Sequence, residues 1–147
     1  MAESLSKALD FNRRTGLITG IKFEQGTKNI NHSQFADDTL LMGGASITIA
    51  RRFNKILDQF MDYSGGKVNQ VKSCIYGWNV SNHTIHSIAN ILGVSYKLNW
   101  SHFTYLGMPV SMRPLKADTW NEILDKIQRK IQQWGSMWLN PAGALYF

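Results

Sequence analysis

The sequence predicts an α+β fold, and three observations carry that prediction. Apolar residues recur at helical spacing in residues 46–63 and again after Asp118. Short apolar runs separated by glycine-containing turns, such as residues 17–23 and 29–36, are typical of strands. The chain has 147 residues, 44% of them hydrophobic, which is enough to bury a core. Its single cysteine excludes an internal disulfide.

Four helices are predicted. Residues 2–13 place their apolar side chains roughly on one side, and residues 46–63 form a longer amphipathic helix with Ser46 as candidate N-cap. A shorter helix is expected at 82–92, and a last one begins with Asp118 as its cap. This last helix carries the clearest apolar stripe, which we expect to pack into the core: Trp120, Ile123, Leu124, Ile127, Ile131 and Trp134.

Strands are predicted between these helices. Residues 17–23 and 29–36 read as strands around the turn at Gln25-Gly26-Thr27. The segment Phe35–Met42 reads as a buried hairpin with an acidic pair at its tip, and residues 68–76 and 103–110 have strand character. Together these segments predict a small antiparallel sheet with helices packed behind it.

The charge is unevenly distributed along the chain. The formal net charge is +6; residues 1–64 carry eight Lys/Arg against seven Asp/Glu, and residues 65–147 carry eight against three. A basic surface favours a polyanion such as nucleic acid, although a soluble domain that is merely basic has the same composition. No stretch approaches the roughly 20 continuous apolar residues that a membrane span requires, so we expect no membrane partner.

Asp37 and Asp38 are the sharpest chemical feature. Two adjacent carboxylates inside apolar sequence are costly to bury unless a cation compensates them. Magnesium prefers such oxygen ligands. Successive residues of a strand point to opposite faces, so a tight turn is needed to direct both groups into one site. The alternative is an ordinary exposed hairpin tip, where Asp is common.

The segment Phe35-Ala36-Asp37-Asp38-Thr39-Leu40-Leu41, preceded by Ile30-Asn31-His32, resembles the catalytic hairpin of reverse transcriptases of the non-LTR retrotransposon type, plant elements in particular. The resemblance implies a partial polymerase palm with an antiparallel catalytic hairpin. It also implies that Asp37 and Asp38 are catalytic residues and ligands of Mg²⁺.

Three further segments follow in the order that this family shows. Residues 64–69 with Lys72-Ser73 are similar to the next palm motif, and Phe103–Val110 is similar to the primer grip. The run Trp120–Trp138, followed by Leu139–Gly143, resembles the start of the thumb. The resemblance therefore implies a palm fragment at residues 1–111 and a short helical thumb fragment at residues 112–147.

The resemblance also assigns roles to residues that have ordinary alternatives. Lys72 would be catalytic, near the phosphates of the incoming nucleotide, or else a solvated surface lysine. The primer-grip residues and the basic residues of the last helix would contact nucleic acid; the alternatives are core packing for Tyr105, a turn for Gly107 and a solvated helix face. The implied nucleic-acid contacts are Tyr105, Leu106, Gly107, Lys126, Arg129 and Lys130.

The family's other metal-binding Asp, and its fingers, would lie before residue 1. The resemblance therefore implies an RNA-directed DNA polymerase that is inactive as this chain alone, with weak Mg²⁺ binding. Its partners would be an RNA template, a DNA primer and a separate chain supplying the missing segments. A non-catalytic nucleic-acid-binding remnant and a degenerate reading frame without selected function are the alternatives. A parent enzyme would act on nuclear DNA. The alternative is that an organelle genome encodes the fragment.

Overall fold

The computed structural model describes residues 2–22 and 26–138, and the α+β class is confirmed. The chain divides into two units, residues 1–100 and 101–147. The elements, in chain order, are α1 (Ala2–Arg14), β1 (His32–Phe35), β2 (Asp38–Leu41), α2 (Ile47–Ser64), β3 (Cys74–Tyr76), α3 (Asn82–Leu92), β4 (Ser95–Lys97), β5 (Phe103–Tyr105), β6 (Met108–Val110) and α4 (Ala117–Trp138).

The core of the first unit forms where α1 packs on α2. Leu5 and Leu9 of α1 are buried against Phe53 and Ile56 of α2, with Ile18 completing the cluster. Each such side chain contributes about 1.5–3 kcal/mol when it is fully buried. The helical spacing that predicted both helices is therefore the spacing of the residues that hold them together.

Helix α2 begins and ends close to the predicted residues. Ser46 occupies the N-cap position with an extended backbone, but its side chain makes no capping hydrogen bond. Gly65 follows the helix at φ 68°, and its N–H donates to the carbonyl of Met61. A left-handed residue at this position favours glycine because glycine has no Cβ to clash.

Helix α3 connects two parallel strands. Ser81 caps it by accepting a hydrogen bond from the Thr84 N–H at 3.1 Å, and Ile85 and Ile88 are buried. Strands β3 and β4 pair in parallel, with Cys74 opposite Ser95. Parallel neighbours need a crossover connection, which α3 supplies.

The predicted antiparallel sheet is wrong in its extent. The described residues form three separate two-stranded sheets: β1–β2 and β5–β6 are antiparallel, and β3–β4 is parallel. The strand expected at 17–23 is reduced to a bridge between Ile21 and Ile30. The strand expected at 68–76 begins only at Cys74, because residues 70–72 form a turn. Residue 23 of the strand expected at 17–23 and Gln25 of the predicted turn lie outside the described residues.

The second unit corrects the prediction for the last helix. Asp118 lies in the first turn of α4, one residue after the helix begins, rather than at its cap. The apolar stripe does not form a core, because the exposed fractions of Trp120, Leu124, Ile127 and Ile131 are 42%, 54%, 48% and 60%. A two-stranded hairpin is the other regular element described in this unit, and it offers little apolar surface to cover a helix of 22 residues. The side chain of Trp134 lies outside the described part.

Candidate catalytic hairpin

The β1–β2 hairpin closes with a two-residue turn at the acidic pair. Phe35 pairs with Asp38, so Ala36 and Asp37 alone make the turn. Ala36 has φ 52°, a positive value at the first turn position, as in type II′ turns where glycine is usual. Asp37 therefore lies in the turn and Asp38 begins β2. The tight turn that the acidic pair requires is present.

Burial differs between the tip and the base of this hairpin. Phe35, with 66% of its surface exposed, is accessible together with Ala36, Asp37 and Asp38. The residues of β2 after Asp38 are half-buried. The prediction of a buried hairpin is thus wrong at the tip, because the carboxylates remain in water instead of being desolvated.

The donor set at the tip suits a hydrated magnesium ion. Among the described residues there is no group of three or more His, Cys, Asp or Glu side chains that could hold a metal. Magnesium is commonly bound by one or two carboxylates, with water and substrate phosphates completing its octahedron. A site of that kind at Asp37 and Asp38 would take its remaining ligands from water and phosphate.

The base of the hairpin is fixed by Asn31. Its carbonyl accepts a hydrogen bond from the Met42 N–H at 2.8 Å, which extends the pairing beyond His32 and Leu41. Its side chain, in a residue only 1% exposed, donates from Nδ2 to the carbonyl of Leu9 at 2.8 Å. The hairpin is therefore joined to α1 through a buried amide whose N–H group is satisfied.

His32 continues this connection. Its Nδ1 lies 2.8 Å from Asn31 Oδ1, and its Nε2 lies 2.7 Å from Ser6 Oγ of α1. Since Asn31 Oδ1 can only accept, Nδ1 carries the proton of the neutral ring and Nε2 accepts from the Ser6 hydroxyl. Burial lowers the pKa of His32, Asp10 opposes that change, and Arg13 adds to it. The lowered pKa favours the neutral form of the ring.

Lys72 lies in the turn before β3. Its side chain is exposed, and its N–H donates to Asn69 Oδ1 at 3.1 Å. The turn is further closed by Ser73, whose N–H donates to the Asn69 carbonyl at 3.0 Å. Asn69 thus organises the Lys-Ser segment, and Lys72 presents its ammonium to solvent.

The predicted primer-grip residues occupy the β5–β6 hairpin of the second unit. Tyr105 pairs with Met108, which leaves Leu106 and Gly107 as the turn. Both have positive φ, 51° and 80°, which is the pattern of a type I′ turn. Tyr105 is half-buried and Leu106 is exposed. The motif resembling the primer grip is thus a tight hairpin turn.

The predicted basic residues of the thumb lie on α4. Lys126, Arg129 and Lys130 are all exposed. The Arg129 Nε donates to the Asp125 carbonyl at 3.2 Å, along the same helix. The residues Leu139–Gly143, which complete the resemblance to the thumb, lie outside the described part of the chain.

Comparisons with known proteins add no relative to this description. No family model, curated protein or solved structure matches the chain. None of the helices described is long and apolar enough to cross a membrane.

Sequence reasoning assigned no role to the side chains of Asn31, His32 and Ser6. The signal that could have indicated Asn31 and His32 is that two polar residues stand together at the start of the hairpin. Their partners on α1 are 22 and 26 residues away in sequence, beyond the reach of any local pattern.

Proposed function

We propose that this chain is the part of an RNA-directed DNA polymerase, of the non-LTR retrotransposon type, that carries the metal-binding hairpin. The observation that carries the proposal is the pair Asp37 and Asp38 at the exposed tip of a two-residue turn. Such a tip presents both carboxylates to an ion that also binds substrate phosphates.

Backbone strain supports the same proposal. Three non-glycine residues have positive φ in the described chain: Ala36, Asn79 and Leu106. Asn tolerates this conformation, whereas for Ala and Leu it is unfavourable. Both unfavourable cases lie in the turns of the motifs resembling the catalytic hairpin and the primer grip. Strain of this kind concentrates at functional sites.

The roles follow from the chemistry of each group. Asp37 and Asp38 would hold Mg²⁺, which neutralises charge on the transferring phosphoryl group when bound. Lys72 would stabilise phosphate charge on the incoming deoxynucleotide. Tyr105, Leu106 and Gly107 would support the primer strand that pairs with the RNA template.

Phosphoryl transfer between two metal ions uses carboxylates from separated chain segments. The described residues supply one acidic segment at the site, so we expect no primer extension by this chain alone. The other palm segment and the fingers would complete the enzyme. In this chain alone, metal binding is expected to be weak, since water fills most of the coordination sphere.

The test is a titration with Mn²⁺ in the presence of a poly(rA)/oligo(dT) hybrid. Binding is measured as broadening of the amide lines in the protein's NMR spectrum. Broadening should centre on residues 36–39 and be lost in Asp37→Asn. The control Asp62→Asn, an exposed carboxylate at the end of α2, should leave the pattern unchanged. Broadening that survives in an Asp37→Asn/Asp38→Asn double variant would refute the metal site.

A second candidate function is nucleic-acid binding without catalysis. It is favoured by the exposure of Lys126, Arg129 and Lys130 along one helix. The same titration distinguishes the two, because hybrid binding without broadening at the hairpin leaves only this second function. Absence of both signals favours a reading frame without selected function.

A further inference from the structure

The exposed tip of the β1–β2 hairpin depends on its base for its orientation. Strand β1 has four residues, which at about 3.3 Å per residue gives an arm of roughly 13 Å. A tilt of about 10° at the base would move the tip by roughly 2 Å over that length. Misplacement of this size is large for a metal site, where positions must hold to within about 0.5 Å.

A chain of side-chain hydrogen bonds fixes this base on α1. It runs from Ser6 Oγ to His32 Nε2, from His32 Nδ1 to Asn31 Oδ1, and from Asn31 Nδ2 to the Leu9 carbonyl, at 2.7, 2.8 and 2.8 Å. Both ends lie on α1, one helical turn apart. Ser6 and Leu9 therefore hold two points of the hairpin base, which restrains rotation as well as translation.

The polar links are surrounded by packing that leaves little room for an alternative. Asn31 is buried, and a Cβ at Gly20 would lie 2.4 Å from the Ile30 carbonyl oxygen and 2.9 Å from the Asn31 nitrogen. The backbone at Gly20 therefore lies directly against the backbone of Ile30 and Asn31. A buried amide that loses its partner destabilises the folded chain, so this arrangement favours one register of the hairpin against α1.

We propose that Asn31 and His32 are positioning residues that orient the Asp37–Asp38 hairpin on α1. This proposal rests on the proposed function in one respect only, namely that the positioned hairpin carries a metal site. Its structural content, a hairpin fixed through Asn31 and His32, stands on the hydrogen bonds alone.

The charged groups around His32 give this connection a pH dependence. From α1, Asp10 favours protonation of the ring and Arg13 opposes it; β2 contributes the uncharged Leu41 opposite His32. The pKa of His32 in the folded chain lies below the ordinary value of 6.5, chiefly because of burial. The unfolded state therefore binds the proton more readily. The contribution of His32 to the stability of the folded chain is therefore complete above pH 6.5. It is lost as the pH falls through the lower pKa that His32 has in the folded chain.

The experiment is amide hydrogen exchange of the full chain without metal, corrected for intrinsic rates, between pH 7.5 and 5. Exchange of residues 39–42 should accelerate on acidification, because the unfolded chain binds the His32 proton more readily than the folded chain does. Amides of α2 and α3 should change less. His32→Gln retains an acceptor for Ser6 but cannot titrate, so its hairpin exchange should be independent of pH in this range.

A second variant tests the amide. Asn31→Ala should accelerate hairpin exchange at pH 7.5 at least about fivefold. The matched controls are His86→Gln and Asn90→Ala, which disrupt an exposed His–Asn pair on α3 (3.3 Å apart) and should leave the hairpin unchanged. If Asn31→Ala does not fold, the positioning role is tested by comparing the pH dependence of hairpin exchange in the wild type and in His32→Gln.

Two results would overturn the proposal: hairpin exchange at pH 7.5 that is unchanged in Asn31→Ala, or a pH response of the hairpin that persists in His32→Gln. Equal acceleration in α2, α3 and the hairpin would also overturn it, since it would indicate global unfolding. No metal is present in this experiment, so failure of the metal site and failure of the positioning residues give separate results.

Discussion

Phe35 and Asp38 face each other as the last pair of the β1–β2 hairpin, so the whole reversal of the chain falls on Ala36 and Asp37. The acidic pair is therefore at the outermost point of the hairpin. One carboxylate comes from the turn and the other from the first position of β2. This relationship links the backbone conformation of a single alanine to the placement of both candidate metal ligands.

The strained turn can be tested by Ala36→Gly. A non-glycine residue in the left-handed region costs about 1–2 kcal/mol, which the glycine would relieve. The glycine also increases the entropy of the unfolded chain, which lowers the free energy of unfolding by about 0.5–1 kcal/mol. We therefore expect the free energy of unfolding to rise by roughly 0.5 kcal/mol in urea denaturation. Ala45→Gly, at a position without positive φ, is the control and should lose about 0.4–1 kcal/mol. Equal losses in both variants would contradict the strained turn.

The exposed acidic pair should contribute little to stability without metal. Adjacent carboxylates repel each other, so Asp37→Asn should leave the free energy of unfolding at neutral pH unchanged or slightly higher, within about 0.5 kcal/mol. Chemical denaturation measures this directly. A clear loss would mean that the Asp37 carboxylate has a structural partner.

Asp10 of α1 is a carboxylate that pairs with two arginines. Its pKa is held below the ordinary value of 3.8, chiefly by the hydrogen bond from Arg13 Nε at 3.0 Å. Arg14 adds an ion pair at 2.7 Å. Because the folded pKa is lowered, this stabilisation is present above pH 3.8 and is lost as the pH falls through the folded value. Asp10→Asn should remove that part of the acid dependence, which measurement of the free energy of unfolding against pH would show.

Nucleic-acid binding should depend on the exposed basic residues of α4. Contacts of this kind go to phosphates, so they set affinity without sequence preference. Replacing Lys126, Arg129 and Lys130 with Gln should weaken binding to an RNA–DNA hybrid and reduce the log–log salt slope, by roughly 0.9 for each phosphate that the variant no longer neutralises. Fluorescence anisotropy from low to physiological salt measures both quantities.

The control for this triple must also be exposed. Lys7, Arg13 and Arg14 already pair with Glu3 and Asp10 within α1, which makes them a poor comparison. Arg51, Lys55 and Lys67 are exposed and lie in or near α2. If replacing them costs as much affinity as replacing the α4 triple, the binding reflects overall charge alone.

The exposed stripe of α4 should promote self-association rather than fold stability. Leu124→Gln combined with Ile131→Gln should change the free energy of unfolding by less than about 0.5 kcal/mol per site and should reduce light scattering. Ile85→Ala, in the buried face of α3, is the contrast and should cost about 2–5 kcal/mol. A loss of that size in the α4 variant would show that the stripe is packed.

Local signals predicted much of this structure. The helix expected at 82–92 is observed at Asn82–Leu92, and the one expected at 46–63 is observed one residue later at each end. The tight turn at the acidic pair is likewise present. These features depend on apolar spacing, caps and turn residues within a few positions of one another, which a single sequence displays.

Pairing and burial were predicted less well. Strands β3 and β4 pair in parallel across α3 instead of joining an antiparallel sheet. The α4 stripe, which has the spacing of a core helix, is exposed. An amphipathic pattern specifies which face of a helix prefers an apolar neighbour, but it does not determine whether the chain places one there.

The sequence by itself determined the helices, the hairpin and the presence of two carboxylates at its tip, because each follows from residues close together in the chain. Only the tertiary structure decided how that hairpin is held. Asn31 can be buried because its amide donates to the Leu9 carbonyl 22 residues earlier, and the pKa of His32 is lowered because its ring is half-buried beside Asn31 and Ser6. Burial and protonation are set by neighbours that meet through folding.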